Sequence, residues 1–418
     1  MRFLRSKYLQ QLLAGRGNGM VKIITGVRRC GKSFLLFDIF RSYLLEEGVS
    51  EDHIIALTLD QRDMKTLRNP DKLLEYIDTH LTADNRTHYI ILDEIQMVED
   101  FVEVLLTLMR KPNTEVYVSG SNSKFLSSDV VTEFRGRGDE IRVYPLSLSE
   151  YMEGTGLDYL TAAKYYFVYG GLPQVALMED MQKKEDFLRT MTEVTYLRDV
   201  VDRNHLRNEE GMRELIRILA SSVASSTNPT KIADTFKSVT KLRITETTVR
   251  QYIAYLQNAF LVEEALRYNI KGRRYIGAEN KYYFVDPGIR NAVLNFRQID
   301  DGHLMENIIY NELRMRGYLV DVGRVETWQI VNGQRVRKNL EVDFVVNRGS
   351  QRYYIQSAFE MPSSTKMEQE EHSLKLVDDS FRKIILVHED ILPRRDEKGI
   401  VTMGLKQFLT DEHAIETA

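Results

Sequence analysis

The sequence predicts an α/β protein: a parallel-sheet core beneath a phosphate-binding loop, a mainly helical middle, and a mixed α/β module at the end. Three observations predict it. A short β-branched run, "VKIIT" at 21–25, leads into "GVRRCGKS" at 26–33 and then into helical apolar spacing that stops near Gly48. A second apolar run, "HYIILDE" at 88–94, closes on two adjacent carboxylates. From residue 301 the pattern becomes helix, hairpin strands, helix, strand.

The chain has 418 residues, enough for two or three cores. With 43% hydrophobic and 28% charged residues it has the balance of a soluble globular protein. A net charge of −4 argues against wholesale coating of nucleic acid and leaves room for a local basic face. The single cysteine, Cys30, excludes an internal disulfide framework and suits a reducing cytoplasm. No apolar run approaches the roughly 20 residues of a membrane span. The N-terminal segment has no signal-peptide pattern. It predicts instead a short amphipathic helix with Leu4, Tyr8, Leu9, Leu12 and Leu13 on one side.

The loop matches GxxxxGK[ST] with Gly26, Gly31, Lys32 and Ser33. Glycines let the backbone curl so that its N–H groups face phosphate oxygens, and the following helix adds the positive end of its dipole. The nucleotide-binding candidates are Gly26, Val27, Arg28, Arg29, Cys30, Gly31, Lys32, Ser33 and Phe34. Lys32 would reach the β- and γ-phosphates and Ser33 would hold Mg²⁺. Asp93 would belong to the Mg²⁺ shell, and Glu94 would orient and polarise the attacking water.

Further parallel strands are expected at 54–60 and 115–123. The second ends in Ser119, Ser121 and Asn122, which either sense the γ-phosphate or form a turn capping the next helix. Before the strand "EIRVYPL" stand Arg135 and Arg137, which either reach a γ-phosphate on a neighbouring subunit or are solvated surface arginines.

This order of motifs resembles the AAA+ ATPases, and more specifically the prokaryotic archaeal-type ATPases allied to the STAND NTPases. The resemblance covers nearly the whole chain and rests on "GVRRCGKS", "IILDEIQ", "VSGSNSKFLS", "GRGDEIRVYPLSLSEY" and "YGGLPQV". It implies ATP as the nucleotide, a core over 1–150 and a helical lid over 151–208. In "YGGLPQV", Pro173 would approach the adenine. The resemblance also makes Arg137 the better candidate for an arginine finger acting between copies, hence a homo-oligomer, with hexamers usual in such rings.

Residues 209–298 read as a winged helix: two helices, then a strand pair over "FLVEEALRY" and "KYYFVD" with a turn at "KGRR". Its DNA-contact candidates are Lys241, Arg243, Arg250, Lys271, Arg273 and Arg274, the alternatives being a winged helix that binds protein and basic turns that are simply exposed. Residues 299–418 resemble the PD-(D/E)xK nuclease fold. Glu306 matches the helix carboxylate and Asp343 the strand-end Asp, while the expected ExK pair reads Gln356 and Ala358. An amide is a weak metal ligand and alanine cannot stabilise an attacking water, so a nuclease scaffold without cutting activity is expected. Lys366 could supply the missing cation from the next helix. The leading expectation is an ATPase acting on DNA. The alternative is a STAND-like switch that assembles with protein partners.

Overall fold

A computed structural model describes residues 3–120, 136–240, 244–277, 279–297, 299–331, 334–359 and 371–418. Ser121, Asn122, Arg135, Lys241, Arg243 and Lys366 lie outside these residues. The chain divides into two compact units, Met1–Pro145 with Asn258–Phe260, and Leu146–Gln257 with Leu261–Ala418. Among the described residues, no helix is long and apolar enough to cross a membrane.

Among the described residues, the first unit holds a five-stranded, all-parallel sheet in the order β2-β3-β4-β1-β5. Its strands are β1 (Val21–Thr25), β2 (Ile54–Thr58), β3 (His88–Asp93), β4 (Thr114–Ser119) and β5 (Gly138–Arg142). β1 and β3 are buried along their whole length, as continuous β-branched and aliphatic runs require in a sheet covered on both faces. The one lysine in β1, Lys22, is fully buried and survives by pairing with Glu115 and lying 5.3 Å from the Tyr117 ring centre. Helix α1 (Ser6–Ala14) buries Tyr8 and Leu12, whereas Leu4 is exposed and precedes the helix. Helix α2 runs from Lys32–Phe34 through a π segment, Leu35–Phe40, to Arg41–Glu46. Helices α3 (Pro70–His80) and α4 (Phe101–Met109) complete the cover of the sheet.

The second unit opens with helices. α5 (Leu148–Thr155) starts in a reciprocal Ser147–Glu150 capping box. α6 (Tyr159–Tyr169), the short α7 (Pro173–Ala176) and α8 follow, α8 comprising Met181–Thr190, a π segment Met191–Leu197 and Arg198–Arg203. Then come α9 (Glu209–Ser221), α10 (Pro229–Thr235) and α11 (Glu246–Asn258). Strands β6 (Val262–Ala265) and β9 (Lys281–Phe284) pair antiparallel. Between them, β7 (Arg267–Asn269) and β8 (Arg274–Tyr275) form a separate hairpin. The sequence predicts one strand over 260–268 with a turn at 271–274 leading to β9. Those residues instead close the β7–β8 hairpin, which joins another sheet because β7 pairs in parallel with β10 (Leu319–Val331).

Among the described residues, that sheet has eight strands in the order β14-β15-β13-β12-β11-β10-β7-β8. Its other members are β11 (Gln334–Arg348), β12 (Gln351–Ala358), β13 (Arg382–Val387), β14 (Arg394–Arg395) and β15 (Ile400–Gly404). Helix α12 (Pro287–Val293) is wholly buried, and α13 (Asp301–Met315) is buried from Leu304 to Leu313.

Candidate functional site

β1 delivers the chain into the glycine-rich loop. Gly26 has φ 140°, and a Cβ there would stand 2.1 Å from the Val143 carbonyl oxygen, so conformation and space both demand glycine. Arg29 (φ 63°) and Gly31 (φ 103°) are also left-handed, the alternation that curls a backbone into an anion-binding concavity. Lys32 is buried and donates to the carbonyl oxygens of Gly26 (2.9 Å) and Val27 (3.1 Å). Its ammonium therefore spans the loop. Cys30 is buried, its thiol 3.3 Å from the Val143 carbonyl oxygen, and acts as packing beneath the loop. Ser33 and Phe34 are exposed in the first turn of α2, as is Arg29 within the loop, while Arg28 and Gly31 are partly covered and Val27 is buried.

β3 ends at Asp93, which is 3% exposed. Burial raises its pKa, against hydrogen bonds from Ser119 and Ser33 and the charge of Lys32. Ser119 also accepts the peptide N–H of Glu94 at 3.2 Å, so one buried hydroxyl from β4 ties both carboxylate residues together. Ser119 thus serves to position Asp93 and Glu94. Glu94 itself is left-handed at φ 54°, a strained conformation for a side chain with a Cβ, and its carboxylate receives the Gln96 amide. Oxygen donors from Ser33 and Asp93 beside a lysine suit a hard divalent ion such as Mg²⁺, which would supply charge neutralisation at the phosphates.

Arg137 offers its carbonyl to the N–H of Val21, at the amino end of β1. The loop leaves the other end of that five-residue strand, about 16 Å away at a strand rise of about 3.3 Å per residue.

In the second unit, the glycines before Pro173 have a packing cause. Gly170 has φ 73°, and a Cβ there would fall 2.1 Å from the Asp286 carboxylate; one on Gly171 would fall 2.3 Å from the Leu146 carbonyl oxygen. Asp286 is fully buried and accepts from the N–H groups of Gly171 (2.7 Å) and Ile289 (3.0 Å). Burial pushes its pKa up to about 6. Pro173 opens α7 beside this lock.

The described basic candidates fall on two elements. Arg250, on α11, is exposed and paired with Glu246 at 2.7 Å. Lys271, Arg273 and Arg274 are exposed on the β7–β8 hairpin, with Lys271 donating to the Glu326 carbonyl oxygen at 3.1 Å. Lys271 and Arg273 border a groove shared with Tyr268, Arg352 and Phe381. The ribbon of β10 and β11 exposes Trp328, with Arg335 stacked 4.8 Å from its ring centre.

A second polar centre joins Glu306, Asp343 and Gln356, three of the four positions that the sequence resemblance singles out. Glu306 on α13 and Asp343 on β11 converge on a residue the sequence reading missed, Lys281 at the start of β9. Its Nζ lies 2.8 Å from Glu306, 2.8 Å from Glu341 and 3.5 Å from Asp343. The Tyr283 hydroxyl donates to Glu306 at 2.6 Å, and the Ser357 N–H donates to Asp343 at 2.9 Å. Gln356 Oε1 lies 3.4 Å from the Asp343 peptide nitrogen. Ala358 packs into the apolar core with Leu374 and Ile385. Burial works to lower the Lys281 pKa, but the three carboxylates prevail and hold it well above the usual lysine range. Burial pushes Glu306 up to about 7. The signal available in the sequence was a lone lysine opening the apolar run "KYYFV".

Comparison with known proteins adds family information. Residues 18–152 match the model of an AAA domain, and residues 160–300 match a domain of unknown function (DUF8612). The chain is 31% identical over 387 residues to an uncharacterized protein of Haemophilus influenzae, spanning 91% of this chain and 92% of that one. It is 27% identical over 416 residues to an uncharacterized protein of Methanocaldococcus jannaschii, spanning 95% and 86%. Among solved structures, a Walker-type ATPase of Pyrococcus abyssi aligns with a TM-score of 0.48 at 15% identity, over 70% of this chain and 96% of that chain. With its loop, paired carboxylates and parallel sheet, the chain carries a P-loop AAA-type ATPase domain and belongs to the same family as the Haemophilus influenzae protein.

Proposed function

We propose that this protein binds ATP with Mg²⁺ at Gly26–Ser33, hydrolyses it, and couples the cycle to DNA. One observation carries the hydrolytic reading: Ser119 holds Asp93 and Glu94 side by side at the end of β3, with Ser33 and Lys32 of the loop acting on Asp93. In this reading Glu94 takes a proton from water attacking the γ-phosphate, Asp93 and Ser33 hold the metal, and Lys32 stabilises charge on the phosphates. Asn122 is the proposed sensor and Pro173 the lid residue near the base. The position of Arg137, one strand length from the loop of its own chain, supports a role toward a neighbouring copy in a homo-oligomer.

The DNA reading is supported by the exposed Lys271, Arg273 and Arg274 and by the β10–β11 ribbon, since two-stranded ribbons enter the major groove. Residues 151–208, 209–298 and 299–418 would then be lid, winged helix and a non-cutting nuclease-like module of a cytoplasmic protein. A second reading, a switch with protein partners, is favoured by the apolar Trp328, Ile330 and Val336 exposed on the same ribbon.

The test is ATP hydrolysis by the full chain without DNA and with duplex, single-stranded and branched DNA, beside Glu94→Gln. Turnover stimulated by one DNA form and absent in Glu94→Gln is expected. Undiminished hydrolysis by Glu94→Gln overturns the role of Glu94. Indifference to every DNA, with ATP-dependent oligomer size, favours the protein-partner switch.

A further inference from the structure

We propose that Lys281 is a built-in cation, its ammonium taking the place of a divalent metal ion among Glu306, Glu341 and Asp343 and closing that pocket to metal. The carboxylates come from α13 and β11, and the lysine from β9, a different stretch of chain. The pocket is one cation wide. With Nζ 2.8, 2.8 and 3.5 Å from three carboxylate oxygens, no ion can make oxygen contacts of about 2.1 Å there unless the lysine leaves.

The remaining valences fit an ammonium. Tyr283 donates to the same Glu306 oxygen that Lys281 contacts, and the Ser357 N–H occupies the second oxygen of Asp343. Arg267 neutralises the second oxygen of Glu341 at 2.8 Å. Gln356 matters for charge: a carboxylate there would add a fourth negative group, for which a single ammonium and Arg267 are poor compensation. As an amide it leaves three carboxylates against two cations. The nuclease-like donor set therefore does not fit a metal in this chain.

The lysine is also held in place. Asn307 on α13 accepts the N–H of Phe284 (2.9 Å) and donates to its carbonyl oxygen (2.7 Å), clamping β9 to the helix that bears Glu306. A movement that drew β9 off α13 would expose an all-oxygen, three-carboxylate pocket of the kind that takes Mg²⁺ or Mn²⁺.

The experiment is a Mn²⁺ titration of the full chain, stripped of metal and nucleotide, followed by the paramagnetic resonance of free Mn²⁺. Wild type, Lys281→Met, Lys281→Gln and each with Asp343→Asn are compared. Removing the ammonium should raise Mn²⁺ affinity at least about tenfold, because site affinity follows ligand charge. Adding Asp343→Asn should abolish the gain. If the single variants fold poorly, Mn²⁺ added during refolding should restore circular dichroism and thermal stability, and Asp343→Asn should block the rescue. Two results overturn the proposal: Mn²⁺ binding by wild type that Asp343→Asn removes, or Lys281 variants that neither bind Mn²⁺ nor are rescued by it.

Discussion

Replacing Asp286 with asparagine separates the charge of a buried carboxylate from its role as a hydrogen-bond acceptor. Asp286 is fully buried, caps α12 through Ile289 and receives the Gly171 N–H. Its pKa rises from the usual 3.8 to about 6 because burial disfavours the charged form. The folded state thus holds a proton that the unfolded chain has released between those values. The associated stability is fully present below about pH 4 and is lost as pH rises through about 6, amounting to about 3 kcal/mol over the whole range. Asparagine keeps one accepting oxygen and strands one N–H, at about 1–3 kcal/mol. It has no charge to bury, so its stability lacks this pH dependence. Urea denaturation of both proteins at about pH 4.5 and about pH 8 should show the variant's relative stability improving by about 2 kcal/mol at the higher pH. Other carboxyls titrate in both proteins and cancel in the difference. A difference that stays constant with pH would refute the assignment of a buried, proton-linked charge to this lock.

Lys32→Ala should abolish nucleotide binding, measured with a fluorescent ATP analogue, because the loop loses the only ammonium that bridges Gly26 and Val27 among the described residues. Arg137→Ala should lower steady-state turnover while leaving ATP affinity unchanged, and mixing it with Lys32→Ala chains would recover activity only if the arginine acts between copies. Replacing Lys271, Arg273 and Arg274 together with alanine should weaken DNA binding and flatten its salt dependence by up to about three phosphate contacts, read from binding isotherms across salt concentrations.

The candidate nucleotide site is legible in the sequence because its residues are contiguous. The loop, its strand and its helix lie within 21–48, and Asp93 and Glu94 follow an unbroken apolar strand. The role of Ser119 was harder to read. Its place at a strand end was evident, but its bond to Asp93 depends on β4 lying directly beside β3 in the sheet, which local pattern does not encode. Lys281 was hidden for the same reason, since its partners stand 25 to 62 residues away in sequence. The β7–β8 hairpin was misassigned because a run such as "FLVEEALRY" carries no mark of the break between β6 and β7. Gly170 and Gly171 are also consistent with a simple helix-ending turn: the carboxylate that excludes a side chain at Gly170 comes from 116 residues further on, and the carbonyl that excludes one at Gly171 from 25 residues before.

The parallel pairing of β7 with β10 bears on how this protein can be taken apart. Arg267, Tyr268 and Asn269 are in register with Val322, Gly323 and Arg324, across the point near residue 300 where the matched sequence domain stops. A chain severed there would leave an open strand edge on each piece, the natural starting point for aggregation. It would also leave Glu306, Glu341 and Asp343 without their lysine. The two stretches are thus separable as text and inseparable as folding partners, so deletion studies of this protein should remove side chains rather than segments.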